Sequence, residues 1–139
     1  MNKVLSALLV VALMFASVSV AKASNDTVVG ITYYAVTKSS STVSGSKTST
    51  YYRSDGIKAF SLTVYGTFSY DGTNQAVCTN ASYSHDIYQN DWSLKSASAT
   101  KSGNTATATG TFIRKELGIT VDTKTRTVNL SCDRNGNLS

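Results

Sequence analysis

Residues 58–72, KAFSLTVYGTFSYDG, carry the clearest structural signal in the chain. From Phe60 to Tyr70, apolar side chains occupy one parity, interrupted only by Gly66, and hydroxyl-bearing side chains occupy the other. A period of two is typical of a β-strand that buries one face. Asp-Gly dipeptides stand on either side, at 55–56 and 71–72, and this dipeptide favours tight hairpin turns. The stretch is therefore predicted to be the middle strand of a three-stranded antiparallel meander.

Residues 1–23 have the three parts of a signal peptide. Lys3 supplies a positive charge, residues 4–20 are almost entirely apolar, and residues 21–23 form a small-x-small cleavage site. The apolar run is short for a membrane span. We therefore expect the leader to be removed, leaving one domain of residues 24–139 without a membrane anchor. The expected location is extracellular, or periplasmic if the host is Gram-negative, and the composition looks bacterial.

Removal of the leader also lowers the net charge. Lys3 and Lys22 are two of the 13 basic residues, so 11 remain against 8 acidic residues and the formal charge falls from +5 to +3. The remaining basic residues are scattered, and only Arg114 and Lys115 are adjacent. A nucleic-acid-binding domain usually carries a clustered basic stripe. Nucleic acid is therefore not an expected partner.

The rest of the chain has the pattern of short strands separated by turns. We expect a loop or weak edge strand at 38–49 and a turn at 122–125. Strands are predicted within residues 27–37, 50–53, 74–83, 92–100, 105–113, 119–121 and 126–132. Seven or eight short strands without a helix are typical of a sandwich or small barrel. We predict an all-β fold, a small antiparallel β-sandwich that is immunoglobulin-like at most in architecture, because Leu130 stands where that fold has its corner tyrosine.

The hairpin that precedes residues 58–72 has a conflict in its pairing. A two-residue turn at 55–56 sets Tyr51 opposite Phe60, which is a favourable aromatic pair. The same register sets Arg53 opposite Lys58, and two like charges in that position repel each other. The hairpin is predicted, but its register stays open.

Cys78 and Cys132 are the only cysteines, and we expect them to form a disulfide because exported chains with an even number of cysteines commonly do. Cys132 shares the parity of Leu130 and should point at the core. Cys78 points the same way only if the turn at 71–72 is lengthened by one residue, since such a slip flips every side chain. Ala76 would then lie on the core side as well. The alternative is two buried thiols.

Residues 84–91, SHDIYQND, form the least regular polar segment and are interpreted as a solvated loop. Aromatic rings beside amide and carboxylate groups can stack on a sugar or anchor a protein partner while hydrogen-bonding it. The candidate binding surface consists of Tyr83, His85, Asp86, Tyr88, Asn90 and Asp91. Trp92, which follows directly, is expected to belong to the core.

The sequence contains no recognisable catalytic, cofactor-binding or metal-binding motif. His85 is the only histidine, and an acid/base pair with Asp86 would need a third group that converges from elsewhere in the fold. A structural metal site needs more His or Cys ligands than this chain offers. No metal, cofactor or catalytic residue is therefore assigned.

These observations favour a secreted, non-catalytic β-sandwich that binds an extracellular glycan, a protein or a cell surface. It is expected to be a monomer or a weak oligomer. Two alternatives stay open: a small secreted hydrolase that uses His85 and Asp86, and an exported toxin or antimicrobial protein.

Overall fold

The computed structural model describes the backbone and side chains of residues 41–139 and the backbone of one further strand, residues 29–39. The strands are β1 (Val29–Ser39), β2 (Thr42–Tyr52), β3 (Lys58–Ser69), β4 (Val77–Ile87), β5 (Trp92–Ser102), β6 (Thr105–Glu116) and β7 (Ile119–Ser131). No helix occurs in these parts of the chain, so the predicted all-β fold is confirmed. The expected leader, residues 1–23, lies outside the described residues.

Two antiparallel sheets make up the fold. β2, β3 and β4 form the first sheet, with the backbone of β1 paired along the outer edge of β2. β5, β6 and β7 form the second sheet. β3 is the middle strand of the β2–β3–β4 meander, as its alternation predicted. Its apolar parity, represented by Phe60, Leu62 and Val64, is buried.

The strands are longer and fewer than expected. Residues 41–139 contain six strands of 11 to 13 residues, where the sequence predicted seven mostly shorter ones. The loop or weak edge strand expected at 38–49 is largely part of β2, which lies between β1 and β3, and the turn expected at 122–125 is part of β7. Both segments pair with a central strand over almost their whole length. Their Ser, Thr and Gly content resembles that of loops, but pairing with a neighbouring strand outweighs such local preferences.

A bulge resolves the conflict in the β2–β3 hairpin. Tyr51 lies opposite Phe60, with the ring centroids 4.9 Å apart, and the register then shifts so that Tyr52 faces Lys58. Arg53 therefore leaves the ladder, and its guanidinium lies 3.3 Å from the Asp55 carboxylate in the turn. The bulge keeps the aromatic pair and removes the contact between like charges.

The core lies between the two sheets and is centred on stacked aromatic rings. Phe60 of β3 and Phe112 of β6 are 3.9 Å apart between centroids and 12° from parallel. Trp92 lies 5.0 Å from Phe60 and is buried, as expected. Burial of each such side chain stabilises the fold by roughly 1.5–3 kcal/mol. Two facing sheets with a shared core form a β-sandwich-like architecture.

The predicted disulfide is wrong. A loop of seven residues, 70–76, joins β3 to β4, so Cys78 lies opposite Phe68 and both Cys78 and Ala76 are buried. Cys132 is buried as well, but the two cysteines are not bonded to each other. Each thiol instead donates a hydrogen bond of 3.3 Å to a backbone carbonyl, Cys78 to that of Asn80 and Cys132 to that of Asp133. The longer turn therefore places Cys78 in the core as a thiol.

Candidate functional site

The predicted binding residues do not lie on a loop alone. Residues 84–87 complete β4, so only residues 88–91 form the connection to β5. The interpretation of residues 84–91 as a loop is therefore wrong for its first half. Strand pairing with β3 explains the difference, because the polar side chains of this segment continue the regular ladder of the sheet.

β4 divides the predicted residues between its two faces, since successive side chains of a strand point in opposite directions. Tyr83 lies opposite Val64, so it belongs to the core side of the sheet. Asp86 lies opposite Ser61, on the outer side. Tyr83 remains 39% exposed because β4 is an edge strand that the second sheet does not fully cover.

His85 and Asp86 lie on opposite sides of β4. His85 follows Tyr83 on the core side, where its ring centroid is 6.2 Å from that of Phe112, and it is exposed. The Asp86 carboxylate points away from it, on the outer side. Within residues 41–139, His85 has no hydrogen-bond partner. The acid/base geometry that the hydrolase alternative requires is therefore not assembled by these two residues.

Asp86 and Tyr88 are brought together over Ser61. The Ser61 hydroxyl donates a hydrogen bond of 3.3 Å to Asp86 Oδ2 and lies 3.4 Å from the Tyr88 hydroxyl. The backbone amide of Tyr88 donates to the carbonyl of Ala59 over 2.8 Å, which folds the connection back against β3. Ser61 itself is buried, so it holds both groups from beneath and leaves their outer surfaces accessible.

Tyr65 extends this group along the same face. It occupies the hydroxyl parity of β3, its hydroxyl lies 3.1 Å from that of Ser84, and 44% of its surface is exposed. Tyr88 is exposed to a similar extent, 42%. We call this surface the tyrosine face, defined by Ser61, Tyr65, Ser84, Asp86 and Tyr88.

The tyrosine face has an ordered cation at one end. The Lys58 ammonium lies 4.0 Å from the centroid of the Tyr88 ring, a distance at which a cation is attracted to an aromatic face. Gln89 fixes the same end, because its side-chain amide donates to the carbonyl of Lys58 over 3.2 Å. The Tyr88 side chain is therefore held by two neighbouring side chains, Ser61 at its hydroxyl and Lys58 over its ring, before any ligand binds.

Asn90 and Asp91 lie apart from the tyrosine face. Asn90 is in the turn that precedes β5. The Asp91 carboxylate lies 3.8 Å from Arg114 and 4.0 Å from Arg53, and its backbone carbonyl accepts a hydrogen bond from Lys115. Asp91 thus ties the start of β5 to the end of β6, which is a structural role.

Sequence reasoning missed Tyr65, Ser61 and Ser84. The signal for Tyr65 was present, because it is the only aromatic residue in the hydroxyl row of residues 58–72. An aromatic ring on the outward parity of a half-buried strand must face away from the core. Its distance of 23 positions from Tyr88 along the chain hid the fact that the two rings share a surface.

The described residues do not point to a metal centre. Within them, no group of three or more His, Cys, Asp or Glu side chains is placed to hold a metal ion.

The Asp71 carboxylate accepts hydrogen bonds from the amides of Thr73 and Asn74 and from the Asn74 side chain. These bonds lower the pKa of Asp71, and the bond from the Asn74 side chain has the largest effect.

Within the described residues, no helix has the length and apolar character to cross a membrane.

Comparison of the chain with protein-family models, with curated proteins and with solved structures finds no match. The chemistry of the tyrosine face is therefore the basis for proposing a function.

Proposed function

We propose that this protein is an exported, non-catalytic binding module that holds an extracellular glycan on the tyrosine face. The observation that carries the proposal is the placement of Tyr65 and Tyr88, two exposed rings on the outer side of one sheet, beside the hydroxyl of Ser84 and the carboxylate of Asp86. Export is supported by the leader pattern of residues 1–23.

The chemistry of this surface suits a sugar. The apolar C–H face of a pyranose can pack on an aromatic ring, while its hydroxyl groups need partners that both donate and accept hydrogen bonds. Tyrosine and serine hydroxyls do both, and an ionised aspartate accepts two or more. A tyrosine ring combines an apolar body with a polar tip. Each tyrosine can therefore pack against the C–H face of a sugar and also hydrogen-bond one of its hydroxyl groups.

A glycan fits this surface better than a protein partner does. The buried centre of a protein interface is mostly apolar, whereas the neighbours of Tyr65 on this side of β3 and β4 are hydroxyl and amide side chains, such as Thr63, Thr67 and Ser82. Hydrogen bonds between hydroxyls also continue towards β2, since Thr48 and Thr63 lie 2.7 Å apart. The surface is therefore polar around its rings.

The direct test is a glycan microarray probed with the biotinylated domain, residues 24–139, assembled on streptavidin. Four copies on one carrier raise the apparent affinity of a weak site without any new contact. For glycans that bind, Tyr65→Ala and Tyr88→Ala should each weaken binding about tenfold or more, which corresponds to about 1.4 kcal/mol. Tyr65→Phe retains the ring and should lose less than Tyr65→Ala.

Tyr83→Ala is the matched control. It removes the same side chain, of similar exposure, from the opposite face of the same sheet, and it should leave glycan binding unchanged. Absence of binding across the array, or equal losses for Tyr83→Ala and Tyr65→Ala, would contradict the proposal. Urea unfolding of each variant shows whether a loss of binding reflects a loss of folded protein.

A further inference from the structure

Arg126 is a cation to which the side chains of residues 41–139 supply no counter-charge. Its position on β7 lies opposite Gly110, on the core side of the second sheet, and the residue is only partly exposed. Its Nε atom is fully buried and has no hydrogen-bond partner. Within residues 41–139, no carboxylate forms an ion pair with it. Buried charged groups are normally paired, so this guanidinium requires an explanation.

The surroundings of Arg126 hold it against an aromatic ring. Its guanidinium carbon lies 4.9 Å from the centroid of Tyr51, on the facing sheet. Gly110 has no side chain to occupy the space beside it, and a methyl group there would already lie within 3.1 Å of Phe112. The guanidinium thus reaches from the edge of one sheet to a buried ring of the other.

A second cation lies on the same ring. The Lys124 ammonium is 6.0 Å from the centroid of Tyr51. The nearest acidic group on this side of β7 is Asp122, which lies 3.7 Å from Lys124 and is partly exposed. The guanidinium is partly withdrawn from water, and this burial lowers the pKa of Arg126. Among the described residues, this side of β7 therefore carries two cations, Arg126 and Lys124, and one carboxylate, Asp122.

We propose that Arg126 and Lys124, which lie on β7 against the ring of Tyr51, bind one oxyanion group of a ligand, a carboxylate or a phosphate. A guanidinium presents paired N–H donors whose geometry matches two oxygens of either group. The ring of Tyr51 keeps the guanidinium in place, and Lys124 contributes a second, less directional charge. The site lies on the core side of the sheets, away from the tyrosine face, and does not depend on glycan binding there.

A purely structural role gives a different expectation. Charged residues that point inward on an edge strand prevent sheets from pairing edge to edge, and Arg126 lies on such a strand. In that role the guanidinium needs no ligand, and added anions should act on it only as general salt. The two roles can be separated by titration of the intact domain.

The experiment follows the Arg126 Nε–H resonance and the Tyr51 ring protons by NMR during titration of wild-type domain with sodium phosphate, sodium acetate or sodium glucuronate. Ionic strength is held constant with sodium chloride. Binding predicts a saturating shift at millimolar concentrations for at least one oxyanion, and the set that saturates tells a phosphate ligand from a carboxylate ligand. No saturating shift with any of the three overturns the proposal.

Variants locate the effect. Arg126→Gln should abolish the saturating shift of Tyr51, and Arg126→Lys, which keeps the charge but loses the paired donors, should weaken the apparent affinity about tenfold. Arg134→Gln removes an exposed arginine elsewhere and should change nothing. Equal losses in Arg134→Gln and Arg126→Gln would show that net charge alone attracts the anion, and the site would be rejected.

Discussion

Tyr65 and Tyr83 lie on opposite faces of the first sheet because the pairing of β3 with β4 shifts by one residue. Strict alternation from the buried Cys78 would place Ser82, Ser84 and Asp86 on the core side. The ladder instead shifts between Thr67 and Phe68, and Thr79 has no partner in it. Beyond this bulge the phase is reversed, so Tyr83 lies on the core side and Asp86 faces outward. A bulge of one residue has no clear signature in this sequence. The predicted site combined two faces because residues 84–91 were interpreted as a loop, whereas Tyr83, His85 and Asp86 alternate along β4.

Leu117 is under backbone strain in the turn between β6 and β7. Its φ is 50°, that of the next residue, Gly118, is 80°, and Leu117 is the only non-glycine with positive φ among the described residues. Consecutive positive φ values favour Asn-Gly or Gly-Gly. The Leu117 side chain is fully exposed, so it gains no packing energy that offsets the strain.

Replacing this residue should therefore stabilise the fold. Leu117→Asn is expected to raise the free energy of unfolding by about 1 kcal/mol, because Asn tolerates the left-handed region better than Leu does. Leu117→Val is the control and should lower it, since a β-branched residue tolerates positive φ least. Urea unfolding followed by Tyr and Trp fluorescence measures both. An Asn variant no more stable than wild type would argue against the strained turn.

At the scale of elements, the strands with clean alternation were predictable and those with mixed composition were not. β3 was located correctly because its buried and hydroxyl parities do not mix. β7 was divided in two because Asp122-Thr123-Lys124-Thr125 is typical of a turn. The hydroxyls of Thr125 and Thr111, 3.1 Å apart, belong to the cross-strand pairs that keep β7 extended. Such pairs depend on a partner strand, which local sequence does not reveal.

The crossing of β3 over β6 depends on a glycine. A Cβ atom at Gly66 would lie 2.6 Å from Cε2 of the buried Phe68 and 3.1 Å from Cβ of Ala106. Gly66→Ala should therefore lower the free energy of unfolding by about 1–3 kcal/mol, the usual cost of overpacking a core.

The comparable variant at Gly110 provides a scale for this effect. A Cβ atom there would meet Phe112 at 3.1 Å and Leu62 at 3.4 Å, so Gly110→Ala should cost less than Gly66→Ala. Chemical denaturation of the two variants under the same conditions makes the comparison. An equal or larger loss for Gly110→Ala would mean that the two sheets do not cross most closely at Gly66.

For the molecule as a whole, composition and pattern correctly predicted an all-β, sandwich-like domain but wrongly predicted a disulfide. An even cysteine count in an exported chain favours a bridge, and Cys78 and Cys132 both reach the core. Their backbone amides even donate to the adjacent carbonyls of Gly103 and Asn104. The spacing of two cysteines along the chain does not reveal whether their sulfur atoms form a disulfide or remain thiols in the same region of the core.

Stability should consequently not depend on reducing agents. A bridge closing the loop between Cys78 and Cys132 would contribute about 4 kcal/mol, whereas two thiols predict the same urea midpoint with and without dithiothreitol. Thiol titration of the denatured protein should give two groups per chain. A midpoint that falls on reduction would contradict the thiol assignment.

The Cys78 thiol should make the stability of the fold depend on pH. Burial raises the pKa of Cys78, so the folded state retains this proton more strongly than the unfolded state. Its contribution is complete below the pKa of the unfolded thiol and is lost as the pH rises through the folded pKa. The free energy of unfolding should therefore fall as the pH rises above the ordinary pKa of a thiol, and the fall should be smaller in Cys78→Ala, as pH-dependent urea unfolding can show.

The proposed ligand surface is the outer side of the first sheet. It is tested most directly by NMR of the tyrosine ring protons during titration with a glycan that binds on the array. The rings of Tyr65 and Tyr88 should shift with one common saturation curve, while the resonances of the Tyr83 ring should not change. Shifts confined to Tyr83 and His85, on the opposite face, would contradict it.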